Sequence, residues 1–386
     1  MRQLLSKPTS RSTRRLHRPV LAAGVILGSL LLGACSEDVP TTDDVVAEAT
    51  QQVTVEPAPE PVTVDDVEVI EDDVILEEIA VDPTRWPLTG MPTDEVADRP
   101  AISVKVGNSP NERSPRRPQL GLENADIVWE QVVEGGITRL VAVYHSDFPA
   151  NGVAPVRSTR SMDAGINAPY HGILATSGAQ PQFLDQVANA GVQLVVSDRG
   201  NPGLSRMSSR PAPYNVIGDL DVIAGQANGS REIPPPAQAN FAASTEESTP
   251  YLTGTDLNEL SVRLSGFQTT RWTWDAPSGM FLRSNGAEPS MAESGVRHAA
   301  TNVVAAEIDW VNDGSMVDGA APNIAWANGG RALIAIGGRQ IEGTWQKAGE
   351  NQPMRFFDAD GNDIEFAPGA TWLMLVPSRT GSWSVS

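Results

Sequence analysis

The stretch VWEQVVEGGITRLVAVYHS, Val128 to Ser146, sets two carboxylates and a guanidinium among residues that otherwise belong in a core. Buried charge without a partner is strongly unfavourable, so Glu130, Glu134 and Arg139 must pair with one another, with neighbours or with a ligand. Two carboxyls can act as acid and base on a glycosidic bond. Guanidinium groups offer a planar fork to carboxylates and phosphates. A closed network of both is architecture alone. More arginines follow: Arg157 and Arg160 in APVRSTRS, then Arg206 and Arg210 in LSRMSSRPAPYN, which ends on Asn215. These residues predict an Arg/Glu cluster at one mouth of a domain.

The elements that must position them begin with the Gly135-Gly136 pair, a two-residue hairpin signal in which both glycines accept positive φ. Such a turn sets Glu134 opposite Ile137, Val132 opposite Arg139 and Glu130 opposite Val141. With side chains alternating at period two, Glu130, Glu134 and Arg139 then share one face. Arg139 lies diagonal to both acids. Around the hairpin, AISVKV reads as a strand and NSPNERSPRRPQLGL as a Pro-broken loop. Ser158 or Ser161 is offered as a helix N-cap. GILATSGAQPQFLDQVANAG reads as strand, turn and helix, with Pro181 in the first turn and Gly191 as the stop. VQLVVS is a further strand. Alternating strands and helices predict an α/β or α+β fold with a mixed sheet over 86–230. A Pro/Ala-rich linker (231–251) leads to a smaller, packed, β-rich domain over 252–377 and a tail, 378–386.

The chain's start supplies an address. Six basic residues from Arg2 to Arg18 precede an apolar run, Val20–Leu32, which is shorter than the ~20 residues a spanning helix needs. The run ends at Leu32-Gly33-Ala34-Cys35, and 1–35 has the pattern of a secretory signal whose cysteine takes the lipid. Cys35 is the single cysteine, so the mature chain forms no internal disulfide. Residues 36–85 carry acidic groups and, before Arg85, no basic ones. Such a composition predicts a disordered, self-repelling tether. The chain's net charge is −20 and no basic stripe with interleaved aromatics exists, which excludes a nucleic-acid partner.

PLTGMP (Pro87–Pro92), the run RPAISVKV through EGGITRL, APVRSTR and SRMSSRPAPYN together resemble the YerB-like lipoproteins, a bacterial family of unknown function. The resemblance resumes in that family's separate C-terminal domain at TNVV and at IEGTWQKAGENQPMRFFDADGNDIEFAPGATWLMLVP. It spans nearly all of 86–377, and EGGITR is its most specific part. It implies two domains, a lipid anchor in the cell membrane and an envelope location, but no reaction. The family pattern falls on Glu130, Glu134, Gly135, Gly136, Thr138, Arg139, Pro155, Arg157, Ser158, Arg160, Arg206, Arg210, Pro213 and Asn215. Two departures stand out. Tyr214 occupies a position where the family usually carries histidine, and GAEPSMAE lacks the family's second histidine. Any base or metal ligand served by those histidines is missing here.

Other chemistries find little purchase. His145, His171 and His298 have unrelated spacings and no neighbouring cysteine, so neither a metal nor a cofactor is implied. TSGAQPQ lacks a P-loop lysine and a Gly-x-Gly-x-x-Gly spacing, and Ser177 lacks the first glycine of a nucleophile elbow. Trp272, Trp274 and Trp345 fit core packing better than sugar stacking. The sequence therefore favours a lipid-anchored, extracytoplasmic binding or scaffolding module for an anionic wall component or an envelope protein. Arg157, Arg160, Arg206, Arg210 and Asn215 make the contacts in this reading, held by Glu130, Glu134 and Arg139. The competing readings are an envelope hydrolase or transferase, acting on a glycan or peptide with Glu130 or Glu134 as acid/base, and a purely structural network with function in the tether.

Overall fold

A computed structural model describes residues 79, 82–108, 117–311 and 323–386. The leader 1–35, its Cys35 and nearly all of the tether lie outside the described residues.

Five strands carry the N-terminal half: β1 (Ile102–Gly107), β2 (Ile127–Val132), β3 (Thr138–Tyr144), β4 (Ile173–Thr176) and β5 (Gln193–Val196). β1, β2 and β3 are buried along their whole length. That explains their almost unbroken Val/Ile/Leu/Ala content, because a sheet covered on both faces needs apolar residues at successive positions. β2 pairs antiparallel with β3, and β3 with β1, while β1, β4 and β5 run parallel. On its other edge β2 pairs in parallel with Thr371–Pro377, which in turn pairs with Asn302–Ile308. One 11-stranded mixed sheet thus passes through both halves of the chain. Every parallel strand in it ends at the same edge.

One face of this sheet packs on a second, 6-stranded antiparallel sheet. Leu260, Val262, Trp272 and Phe281 of that sheet join Val104, Val128, Leu140 and Ala142 in one core. The opposite face is covered beside β1 and β4 by α1 (Asp163–Asn167) and α2 (Pro181–Asn189). Pro181 opens α2 and Gly191, at φ 84, follows it. Ser158 and Ser161 do not cap α1: Met162 stands at the cap without a side-chain bond. The Asp163 carboxylate turns back instead and accepts the Arg160 N–H at 2.7 Å. Part of the 378–386 tail is a strand, Ser382–Val385, paired with Glu259–Arg263 in the second sheet.

The hairpin's register differs from the expected one. Gln131 pairs with Arg139, Glu130 with Leu140 and Val132 with Thr138. Val133 N–H donates to Ile137 O at 2.8 Å, so the turn spans Glu134, Gly135 and Gly136 rather than two glycines. Both glycines have φ 69, the left-handed conformation for which Gly is selected. Drawing Glu134 into the turn shifts the pairing by one residue, and a one-residue slip exchanges faces. Glu130 therefore faces the second sheet, whereas Arg139 faces the helices. The three charges do not share a face.

Candidate functional site

The charges divide into two clusters at one end of the sheet, on opposite faces. On the helix face, Lys105 extends from β1 and Gln131 from β2 beneath α1. The Lys105 Nζ donates to Asp163 Oδ1 at 2.6 Å, and Gln131 Nε2 reaches the same oxygen at 2.7 Å. Thr159 Oγ1 donates to Oδ2 at 2.6 Å. Asp163 is thus a fully buried hub tying β1, β2 and the loop before α1 together. Burial pulls the Lys105 ammonium down to about 8 against the attraction of Asp163, with Arg139 and Arg160 pulling the same way as burial.

Outside this hub Glu134, Arg157 and Arg160 are partly exposed, while Arg139 stays buried. Arg160 grips Glu134 through two bonds, Nε to Oε1 and NH2 to Oε2 at 2.9 Å. Arg139 NH2 stands 3.7 Å from Glu134 Oε2, and its NH1 donates to Ser158 O at 2.6 Å. Burial raises the Glu134 carboxyl, but the bonds and charge of Arg160, with the charge of Arg139, outweigh it and hold the group below the usual range. Arg139 is pulled down to about 9, first by burial, then by Arg160, with Arg157 also contributing. Like charges crowd this corner.

Residues 156–160 cross the carboxyl ends of β1 and β4. Arg157 N–H donates to Lys105 O at 2.7 Å, Ser177 N–H to Arg157 O at 3.1 Å, and Thr159 N–H to Gly178 O at 3.2 Å. In open α/β sheets this edge is where ligands sit. Arg157 lies over the ring of Tyr214, 4.5 Å from its centroid, and contacts Pro213 O at 3.4 Å. Tyr214, the family's usual histidine position, is therefore a stacking bed for this arginine. Arg206 donates to Asn215 Oδ1 at 3.0 Å, which ties it to the same loop. Arg210 points elsewhere, to Pro118 O at 2.7 Å and to the Glu293 carboxylate in the C-terminal half. The structure thus brings Arg139, Arg157, Arg160 and Glu134 together, sets Arg206 and Asn215 beside them, and directs Arg210 and Glu130 away.

Glu130 belongs to the second cluster. Its Oε2 accepts from Arg283 NH2 at 2.8 Å and Thr270 Oγ1 at 3.0 Å; its Oε1 accepts from Asn108 Nδ2 at 2.9 Å and Thr138 Oγ1 at 3.0 Å. Arg283 continues to Ser290 Oγ at 2.8 Å, which meets His298 Nδ1 at 2.9 Å. Arg117 bonds Asn108 Oδ1 and Gln268 Oε1, each at 3.1 Å. Glu130 and Arg283 have no solvent exposure. Burial, then the charges of Arg283, Arg117 and Arg297, pull His298 down to about 3. This cluster bolts the two sheets together, and its Glu130–Arg283 pair is fully buried.

Trp272 and Trp345 are buried in the core, and Trp274 is partly buried against it. Nothing in the motif spacing points to Lys105, Asp163 or Arg283. The visible signal was a lysine at the fourth position of the apolar run ISVKVG, where strand alternation aims it at the helix face. Among the described residues no group of three His, Cys, Asp or Glu is placed to hold a metal ion.

A parallel-rich mixed sheet spanning two halves, backed by a second sheet, defines a two-part α/β and all-β protein. Residues 88–232 match the model described as "Protein of unknown function (DUF3048) N-terminal domain", and 260–373 match its C-terminal counterpart; the chain belongs to this YerB-like family. A curated relative from Bacillus subtilis (strain 168), "Putative lipoprotein YerB", is 29% identical over 306 residues, covering 75% of this chain and 86% of the relative. The crystal structure of YerB protein from Bacillus subtilis superposes with a TM-score of 0.66 at 25% identity, covering 78% of this chain and 99% of that one. The fold and the lipoprotein kinship come from these likenesses. No helix among the described residues is long and apolar enough to cross a membrane.

Proposed function

We propose that this is a lipid-anchored envelope protein that binds an anionic wall component at the helix-face arginine cluster. Cys35 carries the anchor, the acidic tether spaces the folded part from the membrane, and Arg157, Arg160 and Arg206 make the anion contacts. Asn215 orients Arg206, while Glu134, which also pairs with Arg139, holds Arg160; Arg210 steadies the adjacent loop through Glu293. Glu130 serves the junction of the sheets instead.

One observation carries this reading. In a chain of net charge −20, Lys105, Arg139, Arg157 and Arg160 gather at one sheet edge, where the acids among the described residues are Glu134, Asp163 and, at the rim against Gly178, Asp198. A polyanion relieves such crowding, and arginine forks suit phosphate or carboxylate groups. The hydrolase reading loses support, because Glu130 is sealed off and Glu134 is held ionised between two arginines and cannot supply a proton near neutral pH.

The test is retention of the full chain on purified cell-wall fragments, with inorganic phosphate and soluble polyglutamate as competitors. Arg157→Ala should lower retention several-fold, and rising salt should weaken the wild type. Equal retention by both proteins would remove the assignment. Capture of another envelope protein, unaffected by wall fragments, would transfer the face to a protein partner.

A further inference from the structure

The hairpin tip between the two clusters has a feature that neither cluster explains. Phe267 is 78% exposed, yet the loop bearing it is firmly held. Ser265 Oγ donates to Gly136 O and accepts the N–H groups of Phe267 and Gln268, each at 3.1 Å. The buried Gln268 side chain is fixed by Arg117 at 3.1 Å and by Thr270 at 3.0 Å. A Cβ on Gly136 would stand 2.9 Å from the Phe267 ring, so the ring rests directly on the turn's bare backbone. Above Gly135 no atom lies within 4 Å of where a Cβ would be. A firmly held loop therefore sets an exposed aromatic ring against the open glycine pair of the turn.

We propose that Phe267 is a stacking platform for a sugar ring of the anionic ligand, and that the ligand class is a glycan bearing phosphate or carboxylate groups. This rests on the anion-binding reading of the arginine cluster. Gly136, against which the ring rests, and Glu134, which holds Arg160, belong to the same three-residue turn. A sugar ring has an apolar C–H face to lay on the aromatic and polar edges that stay in water, which suits a lone exposed ring.

The experiment titrates the full chain with two phosphate monoesters of equal charge, N-acetylglucosamine 1-phosphate and glycerol phosphate. Wild type should bind the sugar phosphate about tenfold more tightly. Phe267→Ala, a surface change that leaves the fold alone, should erase this preference while glycerol phosphate binding stays constant; Phe267→Tyr should keep it. Arg157→Ala should weaken both ligands. A preference unchanged in Phe267→Ala, or no preference in wild type, would overturn the platform and leave the anion face standing. If neither ester binds, both readings fall.

Discussion

Glu130 and Arg139 stand one pairing step apart on adjacent strands, yet they face opposite sides of the sheet. Glu130 pairs with Leu140 across β2 and β3, while Gln131 pairs with Arg139. Glu130 is committed to Arg283 and the sheet junction; Arg139 is committed to Glu134 and the arginine corner. One hairpin thereby supplies a structural bolt on one face and an arginine-rich corner on the other.

The bolt should be expendable as a pair and costly to break singly. Glu130→Ala leaves Arg283 buried without its counter-charge, a loss of about 3–5 kcal/mol. A Glu130→Leu, Arg283→Met double variant should recover part of that, because it removes both buried charges, although Asn108, Thr138 and Thr270 then lose their acceptor. Urea denaturation of the single and double variants measures both effects. Wall-fragment retention by the folded double variant should match wild type. A specific loss of binding there, with the fold intact, would return Glu130 to the site.

Gly165 on α1 marks a seam between the two halves. A Cβ there would lie 2.2 Å from Trp326 Nε1, and Trp326 packs edge-on against Trp345. Gly165→Ala should destabilise the protein by about 1–3 kcal/mol through overpacking, despite alanine's better helix propensity. A lowered urea midpoint with unchanged slope checks it.

How far this arrangement was legible in the sequence follows from where each constraint originates. The Gly135-Gly136 pair announces a reversal locally, and the reversal is there, one residue longer than a two-residue turn. Whether Glu134 ends the strand or enters the turn depends on Arg160, separated from it by 26 positions, so the register was beyond local reading. The same applies to Glu130, whose partner Arg283 lies 153 positions away in the second sheet. Lys105 gave the better clue, since a lysine in a strand buried along its whole length needs a buried partner; only folding identifies that partner as Asp163. The β2 pairing with Thr371–Pro377 joins halves that look separable by composition, because strand edges carry no sequence label for a distant partner.

In the proposed binding mode, Glu134 competes with the anionic ligand for Arg160. Glu134→Gln should therefore tighten phosphate-ester binding several-fold while lowering stability modestly, by about 1 kcal/mol given the partial exposure of the pair. Titration calorimetry paired with a melting curve separates the two. Weaker binding in this variant would mean that the carboxylate's positioning of Arg160 outweighs its competition.

His298 should make the fold acid-sensitive. Its ordinary value is 6.5, and in the folded protein it is pulled down to about 3, first by burial and then by Arg283, Arg117 and Arg297. Between those two values the unfolded chain binds a proton that the native state refuses. The native state is therefore favoured fully above about pH 6.5, and this contribution is lost as pH falls through that window. The slope from this group alone is at most about 1.4 kcal/mol per pH unit. Other groups titrate in the same range, so the diagnostic is the difference between wild type and His298→Gln, which cannot take up the proton. Wild type should lose more stability than the variant between pH 6.5 and 4 in urea titrations. Parallel pH profiles would mean that His298 is protonated inside the fold, and that the Ser290 contact serves a charged imidazole.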